Sequence, residues 1–221
     1  TPHVASLPVL STITISFKLE HKTMSTAQKT SYISEYDYLH GEQFSDIKHE
    51  YIDGQVYAMA GAHRHHVVLA DNISRKLGNH LENKPCQSYS SDMKIKIGNN
   101  YFYPDVLVDC TDFEGYFTET PTIIVEVLSK STRQHDKTFK RDLYFTIPTL
   151  QEYVLVEQDI AEIEVWRRTN HIWQQNVYYL GDSIYFASID FSIAVEDIYQ
   201  RVKNEDVLTW LEKKANAVKL E

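Results

Sequence analysis

The sequence has few residues of the kinds that cross-link or break a chain. Its 221 residues include only 2 Cys, 7 Gly and 6 Pro. Because linkers rich in Pro and Gly and internal repeats are absent, we predict one main domain over residues 30–202, with an N-terminal extension (1–29) and a C-terminal helical tail (203–221). Two cysteines are too few for a disulfide scaffold or a cysteine-built zinc site. Cys86 and Cys110 flank apolar runs, and we expect both to be buried free thiols.

Long apolar runs are also missing. No stretch of about 18 apolar residues occurs, so we expect no transmembrane helix. The apolar segment 5–17 has no basic region before it and no clear small-residue cleavage site after it, which argues against a signal peptide. Met24 is the first methionine, and we interpret residues 1–23 as an upstream extension. We therefore expect a cytoplasmic protein with no membrane partner.

Positive charge is in deficit, since 31 Asp and Glu stand against 22 Lys and Arg, a formal net charge of −9. This balance excludes a protein that coats DNA or a membrane by net charge alone. The distribution is uneven, however. Residues 130–141 hold five Lys/Arg and one acid, and residues 63–84 hold four Lys/Arg and two acids. These segments are either solvated helix faces or the basic walls of a cleft that binds a polyanion.

The hydrophobic pattern predicts a mixed α/β (α+β) fold. Asp53-Gly54 between β-prone flanks predicts a hairpin over residues 49–59. Apolar residues at every fourth position predict an amphipathic helix over 66–83, and a second helix is expected from Thr132 to Phe145. The predicted strands are 87–97, 101–110, 122–128, 153–156, 163–167 and 173–179, and short helices are predicted over 190–202 and 206–219.

Two acidic residues interrupt apolar, strand-like runs. Asp105 lies in Tyr-Phe-Tyr-Pro-Asp-Val-Leu-Val, and Glu126 lies in Thr-Ile-Ile-Val-Glu-Val-Leu-Ser. A carboxylate in such a run is unfavourable unless something compensates its charge, and a metal ion is the simplest compensation for two acids on neighbouring strands. The alternatives are strand ends that reach water, or salt bridges. Glu50, just before the hairpin turn, is either a further carboxylate of the same site or a solvated residue.

A polar stripe follows on the next helix, where Asp136, Lys140 and Tyr144 are spaced four residues apart. It predicts either an ammonium beside the carboxylates, where it would stabilise developing negative charge, or a simple Asp136–Lys140 surface pair. The cluster His63-Arg-His-His66 does not have the i, i+4 spacing of a zinc-binding helix. His66, at a helix start, is a phosphate contact, a helix cap or a solvated residue.

In this order, Pro104-Asp105, Glu126 and a following lysine resemble the PD-(D/E)xK nuclease superfamily. More closely, the chain resembles the Uma-two-type family of restriction-endonuclease-like proteins. The matching stretches are 50–61, His66, 91–94, 103–105, 124–129, 131–132, 136–140 and 147–156. The resemblance implies a restriction-endonuclease-like core with flanking helices and an added N-terminal hairpin. It also implies a divalent-metal site for Mg²⁺ or Mn²⁺ and no organic cofactor.

The lysine departs from the superfamily pattern, which places it two residues after the second acid. That position is Leu128 here. The resemblance to the Uma-two-type families implies instead that the lysine lies on the following helix, where Lys140 stands. Lys130 and Lys137 are the other candidates.

The resulting hypothesis is metal-dependent hydrolysis of DNA phosphodiester bonds. Asp105 and Glu126 would hold the metal, Glu50 would add a ligand or orient water, and Lys140 would stabilise the charge on phosphorus. The candidate DNA contacts are His66, Lys130, Arg133 and Lys137. The alternatives on the same fold are a non-catalytic nucleic-acid-binding protein and a dimeric regulatory module. The 15 Tyr and the expected edge strands also favour a homodimer.

Overall fold

The computed structural model describes residues 32–218. The predicted extension 1–29 and the last residues of the predicted tail lie outside this range. The helices are α1 (Glu35–Glu42), α2 (Arg64–Leu81), α3 (Arg133–His135), α4 (Arg141–Tyr144), α5 (Val195–Ile198) and α6 (Glu205–Val218). A π-helical segment, Asp136–Lys140, joins α3 to α4, and we call residues 133–144 together the site helix. No helix in the described range is long and apolar enough to cross a bilayer.

The strands form two main sheets and a small one. They are β1 (His49–Ile52), β2 (Gln55–Ala58), β3 (Gln87–Ser90), β4 (Lys94–Ile97), β5 (Asn100–Phe102), β6 (Val106–Asp109), β7 (Phe117–Thr118), β8 (Pro121–Leu128), β9 (Glu152–Glu157), β10 (Glu162–Thr169), β11 (Ile172–Tyr179), β12 (Ser183–Phe186) and β13 (Phe191–Ala194). The five-stranded sheet has the order β2-β1-β5-β4-β7, and the six-stranded sheet has the order β11-β10-β9-β8-β6-β3. Strands β12 and β13 pair with each other. This confirms the predicted mixed α/β class.

Strand β8 lies inside the six-stranded sheet, antiparallel to β6 and parallel to β9. Its side chains alternate between two buried faces, because successive residues of a strand point to opposite sides. Val125 and Val127 belong to the core that α2 covers. Ile124 and Leu128 belong to the core on the opposite face. Burial on both faces explains the nearly continuous apolar run that the sequence shows here.

The predicted helix over 66–83 is confirmed as α2. Its residues at every fourth position, Leu69, Ile73, Leu77 and Leu81, are all buried. Full burial of each such side chain stabilises the fold by about 1.5–3 kcal/mol. His63 caps the helix, since its ring nitrogen accepts the backbone N–H of His65.

The predicted hairpin is also confirmed, as β1 and β2. Asp53 and Gly54 form its turn with φ angles of 46° and 81°. Positive φ at both central residues is the signature of a type I′ turn, which matches the twist of the paired strands.

The two strands predicted over 87–97 and 101–110 are each two strands in different sheets, so that prediction is wrong in its boundaries. The first divides at residues 91–93 into β3 and β4, and the second divides at 103–105 into β5 and β6. Pro104, which has no N–H to give to a ladder, falls at the second break. The chain crosses between the sheets at these breaks, which puts Asp105 at their junction.

The helix predicted over 190–202 is wrong in its first half. Residues 191–194 form β13, with Ile193 buried opposite Ile184 of β12, and only α5 at 195–198 is helical.

The expectation of free thiols is wrong as well. Cys86 and Cys110 form a disulfide, and both are half-buried. The reason lies in the sheet register. Gln87 pairs with Asp109 across β3 and β6, so the next residues outward face each other in an antiparallel ladder. The spacing of the two cysteines along the chain gives no sign of this adjacency.

Alanine substitutions at two glycines test the assigned hairpin turn. Gly54→Ala should lower the free energy of unfolding by about 1–2 kcal/mol, because an L residue at its positive φ is strained and the new Cβ would overlap the ring of Tyr32. Gly78→Ala is the matched control, since Gly78 lies within α2 with nothing within 4 Å of the added Cβ, and it should raise that free energy by about 0.5–1 kcal/mol. Urea denaturation measures both, and equal effects would contradict the assigned turn.

Candidate active site

The two predicted acids belong to neighbouring strands of the six-stranded sheet. Val106 of β6 pairs with Val125 of β8, and Leu107 pairs with Ile124. Asp105 lies in the bend just before β6, one residue beyond this ladder at the end nearer Glu126. Burial raises the pKa of the Glu126 carboxyl, and the charge of Asp105 adds to this rise, so the structure brings the two acids into one region.

Glu126 is almost fully buried, with 4% of the residue exposed. Its Oε1 accepts a hydrogen bond from the Tyr144 hydroxyl at 2.9 Å and another from Lys140 Nζ at 3.3 Å. Burial raises the pKa of the Glu126 carboxyl well above its ordinary value, even though the charge of Lys140 opposes this shift. Charge at Glu126 is therefore costly unless a further cation is present.

Lys140 is the centre of an ion cluster. Its Nζ lies 2.8 Å from Oε1 of Glu50, 3.3 Å from Oε1 of Glu126 and 3.4 Å from Oδ1 of Asp136. Burial disfavours the ammonium, but the three carboxylates together outweigh burial and raise the pKa of Lys140 above its ordinary value. The cluster therefore favours the charged ammonium form of Lys140. Glu50, for which the sequence pattern offers only a weak signal, is a full member of this cluster.

The polar stripe of the site helix faces inward. Asp136, Lys140 and Tyr144 are all buried, whereas Phe139 on another side of the helix is 39% exposed. The alternative of an Asp136–Lys140 surface pair is therefore wrong. The π-helical turn widens the helix across this stretch, a feature often found at functional sites. Burial also raises the pKa of Asp136.

Asp105 is held at both carboxylate oxygens. Oδ1 lies 2.8 Å from Nε2 of His66, and Oδ2 accepts the backbone N–H of Val127 at 2.7 Å. His66 reaches it from the first turn of α2, whose position is set by the apolar face of that helix. The side chain predicted as a phosphate contact thus lies against the first acid of the site.

The other predicted DNA contacts lie outside the cluster. Arg133 pairs with Glu157 and approaches Asp159 at 4.0 Å. Lys137 lies 3.5 Å from Glu157 and 3.3 Å from Glu164. Lys130 is exposed and is in no ion pair with another residue of the described range. Much of the basic charge in 130–141 is therefore balanced by acids of β9, β10 and the loop between them.

Sequence reasoning missed one member of this site. The hydroxyl of Tyr153, on β9, donates to the backbone carbonyl of Asp136 at 3.1 Å and so holds the π-helical segment against the sheet. Tyr153 stands in an apolar run that reads only as core, and no pattern in the sequence distinguishes it.

A mixed sheet flanked by helices, with two acids on neighbouring strands and a buried lysine on the next helix, defines a protein of the restriction-endonuclease-like class. A family model agrees. The Uma2 family, described as "Putative restriction endonuclease", matches residues 33–196, and the chain belongs to this family.

Individual proteins are similar over most of their length. The "Uncharacterized protein slr1290" of Synechocystis sp. (strain PCC 6803) is 38% identical over 174 residues, covering 76% of this chain and 92% of that protein. The "Uncharacterized protein sll1609" of the same organism is 32% identical over 176 residues, covering 76% and 98%. A crystal structure from Anabaena variabilis, described as that of "a putative nuclease belonging to DUF820", superimposes with a TM-score of 0.65 at 14% identity, covering 77% of this chain and 99% of that one. At that identity the likeness establishes the fold.

Because the pKa of Glu126 is raised, the stability of the metal-free protein should depend on pH. In the folded state this carboxyl keeps its proton to higher pH than in the unfolded chain, so its contribution to stability is present at low pH and is lost as the pH rises through the folded pKa. Glu126→Gln mimics the protonated form and should raise the melting temperature in EDTA at pH 8, by about 2–4 °C for each kcal/mol of relief. The gain should shrink towards pH 5.

The matched control is Glu119→Gln, at an exposed position, which should show no such trend. A pH-independent effect of Glu126→Gln, measured by thermal melts at both pH values, would contradict the buried, proton-holding carboxyl.

Proposed function

We propose that this chain is a metal-dependent DNA endonuclease that hydrolyses phosphodiester bonds. One observation carries the proposal. The Lys140 ammonium is buried within 2.8–3.4 Å of three carboxylates, and one of these, Glu126, lies on the strand next to the one that Asp105 immediately precedes. The family is described as "Putative restriction endonuclease" and the Anabaena protein as "a putative nuclease", and these descriptions support the same activity.

The donor set fits Mg²⁺ or Mn²⁺. Mg²⁺ in phosphate chemistry usually takes one or two carboxylates and completes its shell with water and substrate oxygens. Asp105 and Glu126 supply two carboxylates from neighbouring parts of the sheet, and the burial cost of charge at Glu126 is what a cation would offset. Within residues 32–218 no three or more His, Cys, Asp or Glu side chains are gathered closely enough to enclose an ion. We therefore propose an open site, with Glu50 as a further ligand or a water-orienting group.

The chain's own residues divide the remaining work. When bound, the ion would polarise the scissile phosphate and acidify the attacking water. The Lys140 ammonium, anchored by Glu50 and Asp136, is placed to stabilise negative charge that develops on the phosphate. His66 and the N–H of Val127 fix the orientation of Asp105, and Tyr144 fixes that of Glu126.

Supercoiled plasmid tests the activity directly. With Mg²⁺ or Mn²⁺ the wild-type chain should convert it to nicked or linear DNA. Asp105→Asn, nearly the same in shape, should cut at least about 100-fold more slowly, because one metal-binding charge is lost. Lys140→Gln should be similarly slow, because the stabilising ammonium is gone.

Two controls show whether slower cutting is specific to this site and whether it results from unfolding. Lys214→Met changes a lysine on α6, far along the chain from this site, and should cut like wild type. Because Lys140→Gln leaves three carboxylates buried without their counter-charge, circular dichroism must confirm its fold, and Asp105→Asn carries the test if it unfolds. Equal cutting by wild type and Asp105→Asn would remove this mechanism. DNA binding without cutting in either metal would instead identify a non-catalytic DNA-binding protein.

A further inference from the structure

Strand β11 is an unusually long and unprotected sheet edge. It pairs with β10 over eight residues in one uninterrupted register, from Thr169–Ile172 to Glu162–Tyr179, and within the described residues it has no second neighbour. Its sequence, Ile-Trp-Gln-Gln-Asn-Val-Tyr-Tyr, contains no charged residue, Pro or Gly. Proteins normally protect such edges with Lys, Pro, bulges or shortness, because the free backbone groups of an edge pair readily with another strand.

The other edges of the two main sheets in residues 32–218 are short. Strands β2 and β3 have four residues each, and β7 has two. β11 also exposes apolar side chains that are large for a solvated strand: Ile172 is 63% exposed, Tyr179 is 52% exposed and Val177 is 40% exposed. Only the end of the strand has outside partners for its backbone, since the N–H and C=O of Tyr179 bond to Asp182. The exposed side chains of Ile172 and Val177 and the remaining outer backbone of this edge form no hydrogen bond to another element of the described range.

Local charge favours a second copy of this chain as the partner. The chain as a whole carries −9, so most of its surface repels its own copies. β11 is uncharged, and the neighbouring β10 balances Glu162 and Glu164 with Arg167 and Arg168. An antiparallel pair of β11 strands would thus meet with no like charges opposed.

We propose that β11 pairs with β11 of a second copy, which joins the two six-stranded sheets into one continuous sheet about a two-fold axis. Such an axis keeps equivalent faces together, so the centre of the pairing is Gln175 or Asn176 against its own copy. In the first register Gln175 lies opposite its own copy. In the second register Gln175 lies opposite Val177 of the second copy. This interface does not depend on the activity proposed above.

Sedimentation velocity on the full chain at about 1–100 µM tests the proposal. The wild type should sediment as a species of about 51 kDa, twice the 25.7 kDa of one chain. Gln175→Lys/Val177→Lys, at exposed edge positions, should sediment as a monomer, because lysines then oppose lysines across the axis. Leu208→Lys is the control for a lysine placed away from this edge, at an exposed apolar position of α6, and it should remain a dimer.

Hydrogen exchange supplies a second readout. Amides of β11 should exchange more slowly in the wild type than in the double lysine variant, whose melting temperature should otherwise match. A wild type that is monomeric throughout the range would overturn the proposal, and slow exchange at β11 in that monomer would assign the edge to another segment of the chain. A dimer that survives both edge lysines, or one that Leu208→Lys dissociates, would overturn it too.

Discussion

The site depends on one buried ammonium among three carboxylates. Lys140 Nζ joins β1 through Glu50, β8 through Glu126 and the site helix through Asp136. These elements belong to the two main sheets and to the helix that lies over them, so the ion cluster ties the parts of the fold together where Asp105 also lies. Breaking a buried ion pair by removing one partner costs about 3–5 kcal/mol, whereas its net contribution when intact is small. The cluster therefore fixes the relative positions of these side chains more than it stabilises the fold.

Much of this site could be predicted from the sequence, because its chemistry breaks local patterns. Asp105 and Glu126 interrupt apolar runs, and Asp136, Lys140 and Tyr144 repeat at helical spacing. Such signals lie within about ten residues of chain and need no tertiary information. Glu50 has no such signal, since an acid beside a hairpin turn is ordinary, and only the pairing of β1 into the first sheet brings it to Lys140.

The errors arose where long-range pairing decides the structure. Residues 87–97 and 101–110 have the composition of single strands, and only the separate pairing of their halves shows that each crosses between sheets. The Cys86–Cys110 disulfide depends on the same pairing of β3 with β6. The charge of residues 130–141 was also a poor guide to the surface of the protein. Arg133 and Lys137 are basic neighbours in the sequence, but Glu157 of β9 and Glu164 of β10 pair with them in the fold. Charge that is separated along the chain is thus largely balanced in the fold.

Calorimetric titration with Mn²⁺ tests the proposed divalent-metal site of Asp105 and Glu126 most directly. The wild-type chain should bind metal at micromolar to millimolar concentration, and Asp105→Asn, with its fold unchanged, should lose the heat of binding. Absence of binding to the wild type at millimolar Mn²⁺ and Mg²⁺, or equal binding by the variant, would contradict it.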